Sequence, residues 1–446
     1  MSRWVALAAA LGVPALGAGS GHDWPRVLGP RGDGRSAETG LALDWPESGP
    51  PLLWQTEVGD GYAPPVVAAG RAFVFDRTGG EARLRALDAD TGRLLWESRY
   101  ATDYADYYGY SPGPRSAPVV DGERVYAFGA EGRLRCHDVR DGSVVWEVDT
   151  AERFGVVRNF FGVGASPVVE GELLITPVGG SPPGSPEIHS GAVRGNGTGL
   201  VAFDKQSGEV RWTATDELAA YSSPVVAELG GERLGVALLR GGLVVFEPGT
   251  GSVRSRFPWR AATLESVNAA NPVVVGDRVL IAECYGPGGV LLRYGGGGLE
   301  AVWKDPPRDR SLALHWMTPI VEDGVIYASS GRGAGEAELR AVDLETGKVL
   351  WAEPGLGRAT MILADGHLIV LTEHGRLLAV RPRAQRLVVV ADATPRLPDR
   401  PEMLLLDPPA WAPPALAHGR LYLRGRSRVA CLDLRSRQPA EAKGKT

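Results

Sequence analysis

A unit of roughly 40–50 residues recurs along this chain, and a recurring unit of that length restricts the folds available to it. The clearest copy begins APPVVAAGRAFVF at 63–75 and continues LRALDADTGRLLWE at 84–97. Nearly the same pattern returns at 116–147 and again at 318–353. Each copy holds four short runs of alternating or wholly apolar residues, which is the pattern of β-strands. Each copy therefore predicts one small antiparallel sheet of four strands.

Turn residues separate the runs within each copy. Asp121 and Gly122 join the first two runs of the second copy, and DADTG at 88–92 joins the last two runs of the first. An Asp side chain can accept hydrogen bonds from backbone amides two residues on, and Gly adopts positive φ without steric cost. Tight turns of this kind indicate that consecutive strands are antiparallel neighbours.

The two ends of the chain complete each other. The last copy, at 413–434, stops before its fourth strand, whereas LLWQTEV at 52–58 looks like a fourth strand without preceding partners. Pairing these two segments closes a ring and removes two exposed sheet edges. Eight copies are then complete, beginning near residues 63, 116, 165, 222, 271, 318, 363 and 413. We therefore predict an all-β fold, an eight-bladed β-propeller of four-stranded antiparallel blades that is closed by an N-terminal strand.

A tryptophan follows the last turn glycine by four residues in the best copies. Its large apolar ring suits the gap between neighbouring blades, where burial of apolar area is the main stabilising force. We interpret these side chains as structural, with no part in chemistry. They are Trp54, Trp96, Trp146, Trp212, Trp303 and Trp351.

The segment ALDADTGRLLW at 86–96 resembles the repeat of the quinoprotein (PQQ-like) propeller family. The resemblance extends over about residues 52–434. A WD40 propeller is the alternative, but there an Asp follows the signature Trp, whereas Glu, Thr, Lys or Ala follows it here. The PQQ-like family includes quinoprotein alcohol dehydrogenases and the propeller lipoprotein of the outer-membrane protein assembly machinery. The resemblance therefore implies a fold more firmly than it implies an activity.

The N-terminal stretch has the layout of a secretory signal. Arg3 precedes an apolar run from Trp4 to about Leu16, and small residues follow it. This predicts an exported protein, periplasmic or extracellular. A membrane anchor is the alternative, but the run is shorter than the ~20 residues that a bilayer requires. We expect a signal peptide at 1–20, an irregular segment at 21–50, the propeller at 51–435 and a disordered tail at 436–446.

Composition narrows the possible partners. The net charge is −5 and no basic run occurs, so we expect no nucleic-acid binding. No second long apolar segment occurs, so we expect no membrane span, and we expect a monomer. Cys136, Cys284 and Cys431 lie far apart, without a CxxC pattern or a cluster with histidine, so we expect no zinc site. Cys136 and Cys431 occupy the same repeat position, which predicts buried free thiols.

Long insertions fall in two classes of loop that share one face of a propeller: those between blades, and those between second and third strands. They are 98–115, 148–164, 177–199, 258–270, 305–317 and 330–337. The loops of the opposite face, such as 121–122 and 323–324, are minimal. Because long loops are usually retained for function, we expect the long-loop face to bind a partner. The candidate residues on it are Tyr104, Tyr107, Tyr108, Tyr110, Arg153, Arg158, Asn159, Phe160, Phe161, His189, Asn268, Asn271, His315 and Trp316.

The sequence leaves two classes of function, a quinone-dependent enzyme and a binding scaffold. For the dehydrogenases, the resemblance implies a PQQ cofactor held between an indole ring and a disulfide of adjacent cysteines, beside a calcium ion and a catalytic Asp. This chain has no adjacent cysteines and no recognisable calcium loop. We therefore expect no cofactor, metal or catalytic residue, and a scaffold that binds a protein, a peptide or an envelope polymer. A PQQ-dependent dehydrogenase is the alternative function, and a hydrolytic or carbohydrate-active site in the channel is a further one. The alternative for the aromatic side chains of the loops is that they only pack on one another.

Overall fold

The computed structural model describes residues 23–190, 192–264 and 266–435. Within these ranges, 32 strands form eight antiparallel sheets of four strands each. The sheets form a ring, because the first strands of neighbouring sheets contact one another from the first to the seventh sheet and again between the last and the first, and the seventh and last sheets share a hydrophobic core. This confirms the predicted eight-bladed β-propeller. The predicted signal peptide at 1–20 and the predicted tail at 436–446 lie outside the described residues.

The strands are numbered in chain order, and within each blade they run from the central channel outward. The strand before the first blade is β1 (Leu52–Glu57). Blades 1 to 4 consist of β2 (Val66–Ala68), β3 (Arg71–Thr78), β4 (Glu81–Asp88), β5 (Leu94–Ala101); β6 (Val119–Asp121), β7 (Arg124–Phe128), β8 (Arg133–Asp138), β9 (Val144–Asp149); β10 (Val168–Glu170), β11 (Leu173–Pro177), β12 (Leu200–Asp204), β13 (Val210–Ala214); and β14 (Val225–Leu229), β15 (Glu232–Leu238), β16 (Gly242–Phe246), β17 (Val253–Pro258). Blades 5 to 8 consist of β18 (Val273–Val275), β19 (Arg278–Glu283), β20 (Gly288–Gly295), β21 (Gly298–Lys304); β22 (Ile320–Glu322), β23 (Val325–Ser330), β24 (Glu338–Asp343), β25 (Val349–Pro354); β26 (Ala359–Ala364), β27 (His367–Thr372), β28 (Leu377–Arg381), β29 (Val388–Ala393); and β30 (Ala415–Ala417), β31 (Arg420–Arg424), β32 (Arg428–Asp433).

Helical structure is confined to two short segments in the described part of the chain. They are α1 (Thr150–Phe154), which follows β9, and a 3₁₀ turn (Ile188–Ser190) between β11 and β12. Asp149 caps α1 by accepting a hydrogen bond from the backbone N–H of Glu152 at 3.0 Å. Neither segment, nor any other helix among the described residues, has the length and apolarity that crossing a bilayer requires.

The first strand of the chain belongs to the last blade. β1 pairs antiparallel with β32, so that Trp54 lies opposite Cys431 and Glu57 lies opposite Arg428. β1 is therefore the outer strand of blade 8, and an N-terminal strand closes the ring as predicted. Cys136 lies opposite a tryptophan in blade 2 in the same way, and it is, like Cys284 and Cys431, a buried free thiol.

Each recurring tryptophan joins its own blade to the next one. Trp96 of blade 1 donates its indole N–H to the carbonyl oxygen of Val139 in blade 2, at 2.8 Å. A Cβ at Gly142, in the same turn, would lie 2.4 Å from the Trp96 ring, so a side chain there would collide with it. The same donation recurs from Trp54 to Ala89, Trp146 to Lys205, Trp212 to Pro248, Trp303 to Leu344 and Trp351 to Arg383. These bonds tie the outer turns of the blades together.

Three of the four predicted loops between blades begin later than the sequence indicates, because the outer strand before each of them is longer. β5 ends at Ala101, β9 at Asp149 and β17 at Pro258, inside the loops predicted from residues 98, 148 and 258. The β-pairing continues past Trp96 in β5, past Trp146 in β9 and to Pro258 in β17. The loops that remain lead to the start of the next innermost strand, at the channel.

Residues 23–36, here called the N-terminal segment, cross the central channel. On one side, Trp24 exchanges two backbone hydrogen bonds with Val67 of β2, at 2.7 and 2.8 Å. On the other side, Leu363 of β26 exchanges two backbone hydrogen bonds with the residues that flank Arg35, both at 2.8 Å. The N-terminal segment therefore connects blade 1 to blade 7 through the middle of the ring.

The N-terminal segment is held in the channel by a further ion pair and by burial. Arg35 pairs with Glu322 of blade 6 at 2.6 Å. Trp24 and Leu28 are almost completely buried. Because Glu322 and Leu363 lie near the ends of their innermost strands, the N-terminal segment lies toward the short-loop face. The other end of the channel, at the long-loop face, stays open.

Candidate functional site

A cavity of about 940 Å³, here called the funnel, lies in the channel at the long-loop face. Val27 and Leu28 of the N-terminal segment contribute to its lining and form its floor. Around the axis, the lining includes the residue before the repeat proline, or its counterpart, in most blades: Pro64, Ser166, Ser223, Asn271, Thr318, Thr360 and Pro413. Pockets for small ligands measure roughly 300–1,000 Å³, so the funnel can hold a ligand of substantial size.

A chain of hydrogen bonds between blades fixes the polar side chains of this ring. The backbone N–H groups of Ala117, Ser166, Ser223 and Asn271 donate in turn to the side-chain oxygens of Ser166, Ser223, Asn271 and Thr318, at 2.8, 2.9, 2.8 and 3.0 Å. Each side chain is thus an acceptor for the preceding blade. Among the described residues, the hydroxyl groups of Ser166, Ser223 and Thr318 find no acceptor, so their protons can be donated to a ligand.

One half of the funnel wall is a continuous run of rings. The ring centroids of Tyr62 and Trp411 are 4.8 Å apart, and those of Trp411 and Trp316 are 4.9 Å apart. His315 continues the run at 4.9 Å from Trp316, and Tyr285 follows at 5.5 Å. The planes of successive rings are inclined by 48° to 80°. The wall is therefore a curved aromatic surface.

The other half of the wall comes from the first two long loops. Tyr110 and Phe161 have centroids 5.8 Å apart, and Phe161 lies 5.7 Å from Tyr221. Tyr221 accepts a hydrogen bond from the backbone N–H of Phe161 at 2.9 Å, which fixes that loop over the channel. Tyr108 packs against Phe160 and Phe161 at 5.8 and 5.6 Å.

Asp106 organises the first of these loops from inside. Its carboxylate accepts hydrogen bonds from the backbone N–H groups of Tyr110 at 3.0 Å and Ser111 at 2.7 Å. It also pairs with Arg115 at 2.9 Å. The Arg115 guanidinium in turn lies over the rings of Tyr62 and Phe161, at 5.8 and 5.5 Å. One buried carboxylate therefore sets the positions of both a loop and a cation of the funnel.

Arg358 holds a similar place in the opposite half. Its guanidinium lies 4.8 Å from the centroid of Trp316 and 5.1 Å from that of Trp411. Behind it, Glu373 accepts from Arg358 at 2.5 Å and from the indole N–H of Trp411 at 3.1 Å. Burial raises the pKa of Glu373, but the hydrogen bonds from Arg358 outweigh it, so the pKa is lowered and the carboxylate stays charged.

Arg332 differs from the other two arginines of the funnel. It lies over the ring of Tyr285 at 4.5 Å, and no carboxylate of the described residues is within ion-pairing distance of it. Next to it, Tyr285 Oη and His315 Nε2 are 3.0 Å apart. Burial, followed by the charges of Arg358 and Arg332, lowers the pKa of His315 to about 4, so the ring is neutral at pH 7. Its Nδ1 is buried without a hydrogen-bond partner.

The structure brings half of the predicted residues together in the funnel and separates the rest. The lining includes Tyr108, Tyr110, Phe160, Phe161, Asn271, His315 and Trp316. The funnel lining does not include Tyr104, Tyr107, Arg153, Arg158, Asn159 or Asn268. Of His189 only the backbone is described, within the 3₁₀ turn.

The separated residues have other contacts. Tyr104 is buried below the loop, and burial raises the pKa of its hydroxyl group. Asn268 is buried and donates to the carbonyl oxygens of Leu239 and Trp259 at 2.7 and 3.2 Å. Asn159 accepts from Arg240 at 2.9 Å. Tyr104 and Asn268 are thus buried in the protein outside the funnel, and the Asn159 side chain is bonded to Arg240.

Several funnel residues were missed by the sequence analysis. They are Tyr62, Arg115, Tyr221, Tyr285, Arg332, Arg358 and Trp411, with Val27 and Leu28 of the floor. A signal was available for the ring itself, since Ser166, Ser223, Asn271 and Thr318 occupy one repeat position and are all polar. A polar residue beside the innermost strand of four consecutive blades indicates a polar channel.

A profile of the family described as outer membrane protein assembly factor BamB matches residues 37–181, 166–307 and 300–389. The chain belongs to this PQQ-like propeller family. Its relatives include the outer membrane protein assembly factors BamB of Yersinia pestis, 22% identical over 298 residues, and of Burkholderia pseudomallei, 26% identical over 318 residues. These alignments cover 64% and 65% of this chain, and 67% and 78% of the relatives. A third, from Moranella endobia, is covered over 65% of its length.

Quinone-dependent enzymes are matched over a much shorter stretch. The dehydrogenase subunit of the quinone alcohol dehydrogenase of Gluconobacter oxydans is 29% identical over 136 residues, which is 29% of this chain and 16% of that protein. Among solved structures, the quinohemoprotein alcohol dehydrogenase of Comamonas testosteroni has a TM-score of 0.65 at 14% identity, over 95% of this chain and 82% of that one. BamB of Moraxella catarrhalis has a TM-score of 0.56 at 14% identity, over 86% and 99%. These likenesses confirm the propeller fold.

The funnel does not fit the cofactor arrangement that the quinoprotein resemblance implies. Cys136, Cys284 and Cys431 are buried in three different blades and do not line the funnel, so no cysteine pair faces a bound ring. Glu336 is the one carboxylate-bearing residue among the described residues of the lining. Within residues 23–190, 192–264 and 266–435, no three His, Cys, Asp or Glu side chains are placed to hold a metal ion together. The arrangement of quinone, disulfide and calcium has no counterpart among the residues that the structure describes.

Proposed function

We propose that this protein is a non-catalytic, exported binding module of the cell envelope that holds its ligand or partner in the funnel. The observation that carries the proposal is the shape and lining of the funnel, a cavity with a closed floor and a continuous aromatic wall. Aromatic and arginine side chains give rigid contact area and directed hydrogen bonds at low entropic cost. The relatives are outer membrane protein assembly factors, which supports a place in the envelope.

The geometry favours binding over chemistry. Arg115 and Arg358 of the funnel wall are each paired with a buried carboxylate behind them, and the nearby imidazole of His315 is neutral at pH 7. Such a wall can bind a ligand and fix its orientation. The partner, a protein, a peptide or an envelope polymer, would enter the funnel past Tyr108, which lines the funnel and is exposed to solvent.

Capture of envelope fractions on the immobilised full chain tests the proposal. Tyr108→Ala and Phe161→Ala should each weaken capture by at least ~2 kcal/mol, because central aromatic contacts dominate binding energies. Asp323→Gly is the control, since Asp323 lies in a short turn of the opposite face at φ 48°, where glycine is favoured. Equal losses for Tyr108→Ala and Asp323→Gly would contradict the proposal. Saturable PQQ binding with dye-linked alcohol oxidation would replace it by the dehydrogenase alternative.

A further inference from the structure

We propose that the ligand of the funnel is the end of a saccharide that carries carboxylate groups. This inference rests on the proposed function and gives its ligand a chemical class. Three features of the funnel carry it: an excess of hydrogen-bond donors, an inclined aromatic wall and a closed floor.

The polar lining of the funnel offers mainly donors. Ser166, Ser223 and Thr318 each use their side-chain oxygen as an acceptor for a backbone N–H of the preceding blade, at 2.8 to 3.0 Å, which leaves the hydroxyl proton to a ligand. The amide nitrogen of Asn271 has no acceptor among the described residues either, since the bond to Ser223 uses its oxygen. A ligand that satisfies this ring must be rich in acceptor oxygens, as saccharides and carboxylates are.

Of the three arginines that line the funnel, Arg332 is the one without an ion pair among the described residues. Arg115 and Arg358 are neutralised by Asp106 and Glu373, whose side chains are only 0% and 5% exposed and lie behind them. Arg332 has no such partner, although its guanidinium carries five N–H donors in a fork that matches a carboxylate. A carboxylate of the ligand would therefore pair with Arg332, beside the hydroxyl of Tyr285.

The aromatic wall suits puckered rings in succession. A single planar ligand would require two faces that are nearly parallel, but the Tyr62–Trp411 and Trp316–Trp411 pairs are inclined by 48° and 55°. Consecutive sugar rings change direction along a chain and present an apolar C–H face to each inclined ring in turn. The curved wall thus favours an oligosaccharide over a flat aromatic acid.

The closed floor of the funnel restricts binding to the end of a saccharide chain. Val27 and Leu28 lie across the channel below the polar ring, and Trp24 and Leu363 hold the N-terminal segment at both sides. A polymer cannot pass through a channel that is closed in this way. Only a short oligosaccharide or the terminal units of a longer chain can reach Ser223 and Asn271.

Calorimetric titration of the full chain with trigalacturonic acid, its methyl ester and PQQ tests the inference. The acid should bind at least tenfold more tightly than the ester, since a hydrogen bond to a charged group contributes enough for about that factor. Arg332→Gln should remove this difference by weakening binding of the acid more than binding of the ester. Trp316→Leu should weaken binding of both saccharides. Arg153→Gln is the matched control, because Arg153 is exposed on α1 outside the funnel, and it should change nothing.

Each contrary result has a separate meaning. Equal affinities for acid and ester, or an unaltered difference in Arg332→Gln, would overturn carboxylate recognition at Arg332. Tighter binding of PQQ than of trigalacturonic acid would overturn the saccharide in favour of a planar acid. Absence of binding of trigalacturonic acid would overturn the inference as a whole. In that case, a loss of envelope capture in Tyr108→Ala would still support the proposed function, so the two failures can be told apart.

Discussion

Trp54 donates its indole N–H to the carbonyl oxygen of Ala89 at 3.0 Å, and by this bond the last blade of the ring is joined to the first. Trp54 lies in β1, the outer strand of blade 8, whereas Ala89 lies in the outer turn of blade 1. A Cβ at Gly92, in the same turn, would lie 2.7 Å from the Trp54 ring. The closing joint of the ring therefore repeats the contact that joins the other blades.

Trp54→Ala should lower the free energy of unfolding by about 3–5 kcal/mol, because a buried indole and its hydrogen bond are lost at the closing joint. Leu53→Ala is the neighbouring control, since Leu53 is 37% exposed, and it should change stability by less than about 1 kcal/mol. Urea unfolding followed by tryptophan fluorescence and circular dichroism measures both. Equal unfolding midpoints for the two variants would show that β1 does not stabilise the ring.

Gly142→Ala should destabilise the protein clearly more than Gly122→Ala. Both glycines have positive φ, +75° and +55°, so each substitution costs about 1–2 kcal/mol from backbone conformation alone. At Gly122 the new Cβ meets nothing within 4 Å, whereas at Gly142 it lies 2.4 Å from Trp96. The difference between the two thermal midpoints isolates the contact with Trp96, and two similar midpoints would refute its importance.

The cysteines should be unreactive in the folded protein. Burial raises the pKa of Cys136, Cys284 and Cys431 to about 12, so the thiolate fraction near pH 8 is very small. Titration with a disulfide reagent should give almost no reaction before denaturation and three thiols after it. One thiol after denaturation without reductant would mean that a bridge forms, against the free cysteines of the structure.

Stability should fall as the pH is lowered from about 6.5 to about 4, in part because of His137. Burial lowers the pKa of His137 to about 4, against 6.5 for an exposed histidine. Between these values the unfolded chain binds a proton that the folded chain does not, so the free energy of unfolding rises with pH across this window. A shift of that size corresponds to roughly 3 kcal/mol. His137→Gln should flatten this part of the pH profile, measured by urea unfolding, and an unchanged slope would contradict the assignment.

Structural features that form within one repeat are easier to predict from the sequence than features that bring distant segments of the chain together. Trp96 and Gly142 recur in register, so their repeat predicts both the blades and the joints between them. The orphan strand around Trp54 predicts the closure, since only one blade lacks an outer strand. These features are local, and the pattern of apolar and turn residues contains them.

The funnel is harder to predict because it forms only when the ring is closed. Tyr62 and Trp411 come from opposite ends of the chain and meet at 4.8 Å. Nothing near Arg332 in the sequence indicates that Tyr285 lies beside it. Loop length identified the face on which the funnel opens but not the side chains that line it, and the predicted Tyr104 and Asn268 are both buried outside the funnel.

The N-terminal segment has an evolutionary consequence. Repeat proteins commonly gain or lose units by duplication and deletion, because each unit contacts only its neighbours. Here Trp24 is paired to the first blade, Arg35 to the sixth, and the backbone beside Arg35 to the seventh. Adding or removing one blade would change the width that this segment must span and separate Arg35 from Glu322. The segment therefore couples its own length to the number of blades, so that any change in the number of repeats would require a compensating change in residues 23–36.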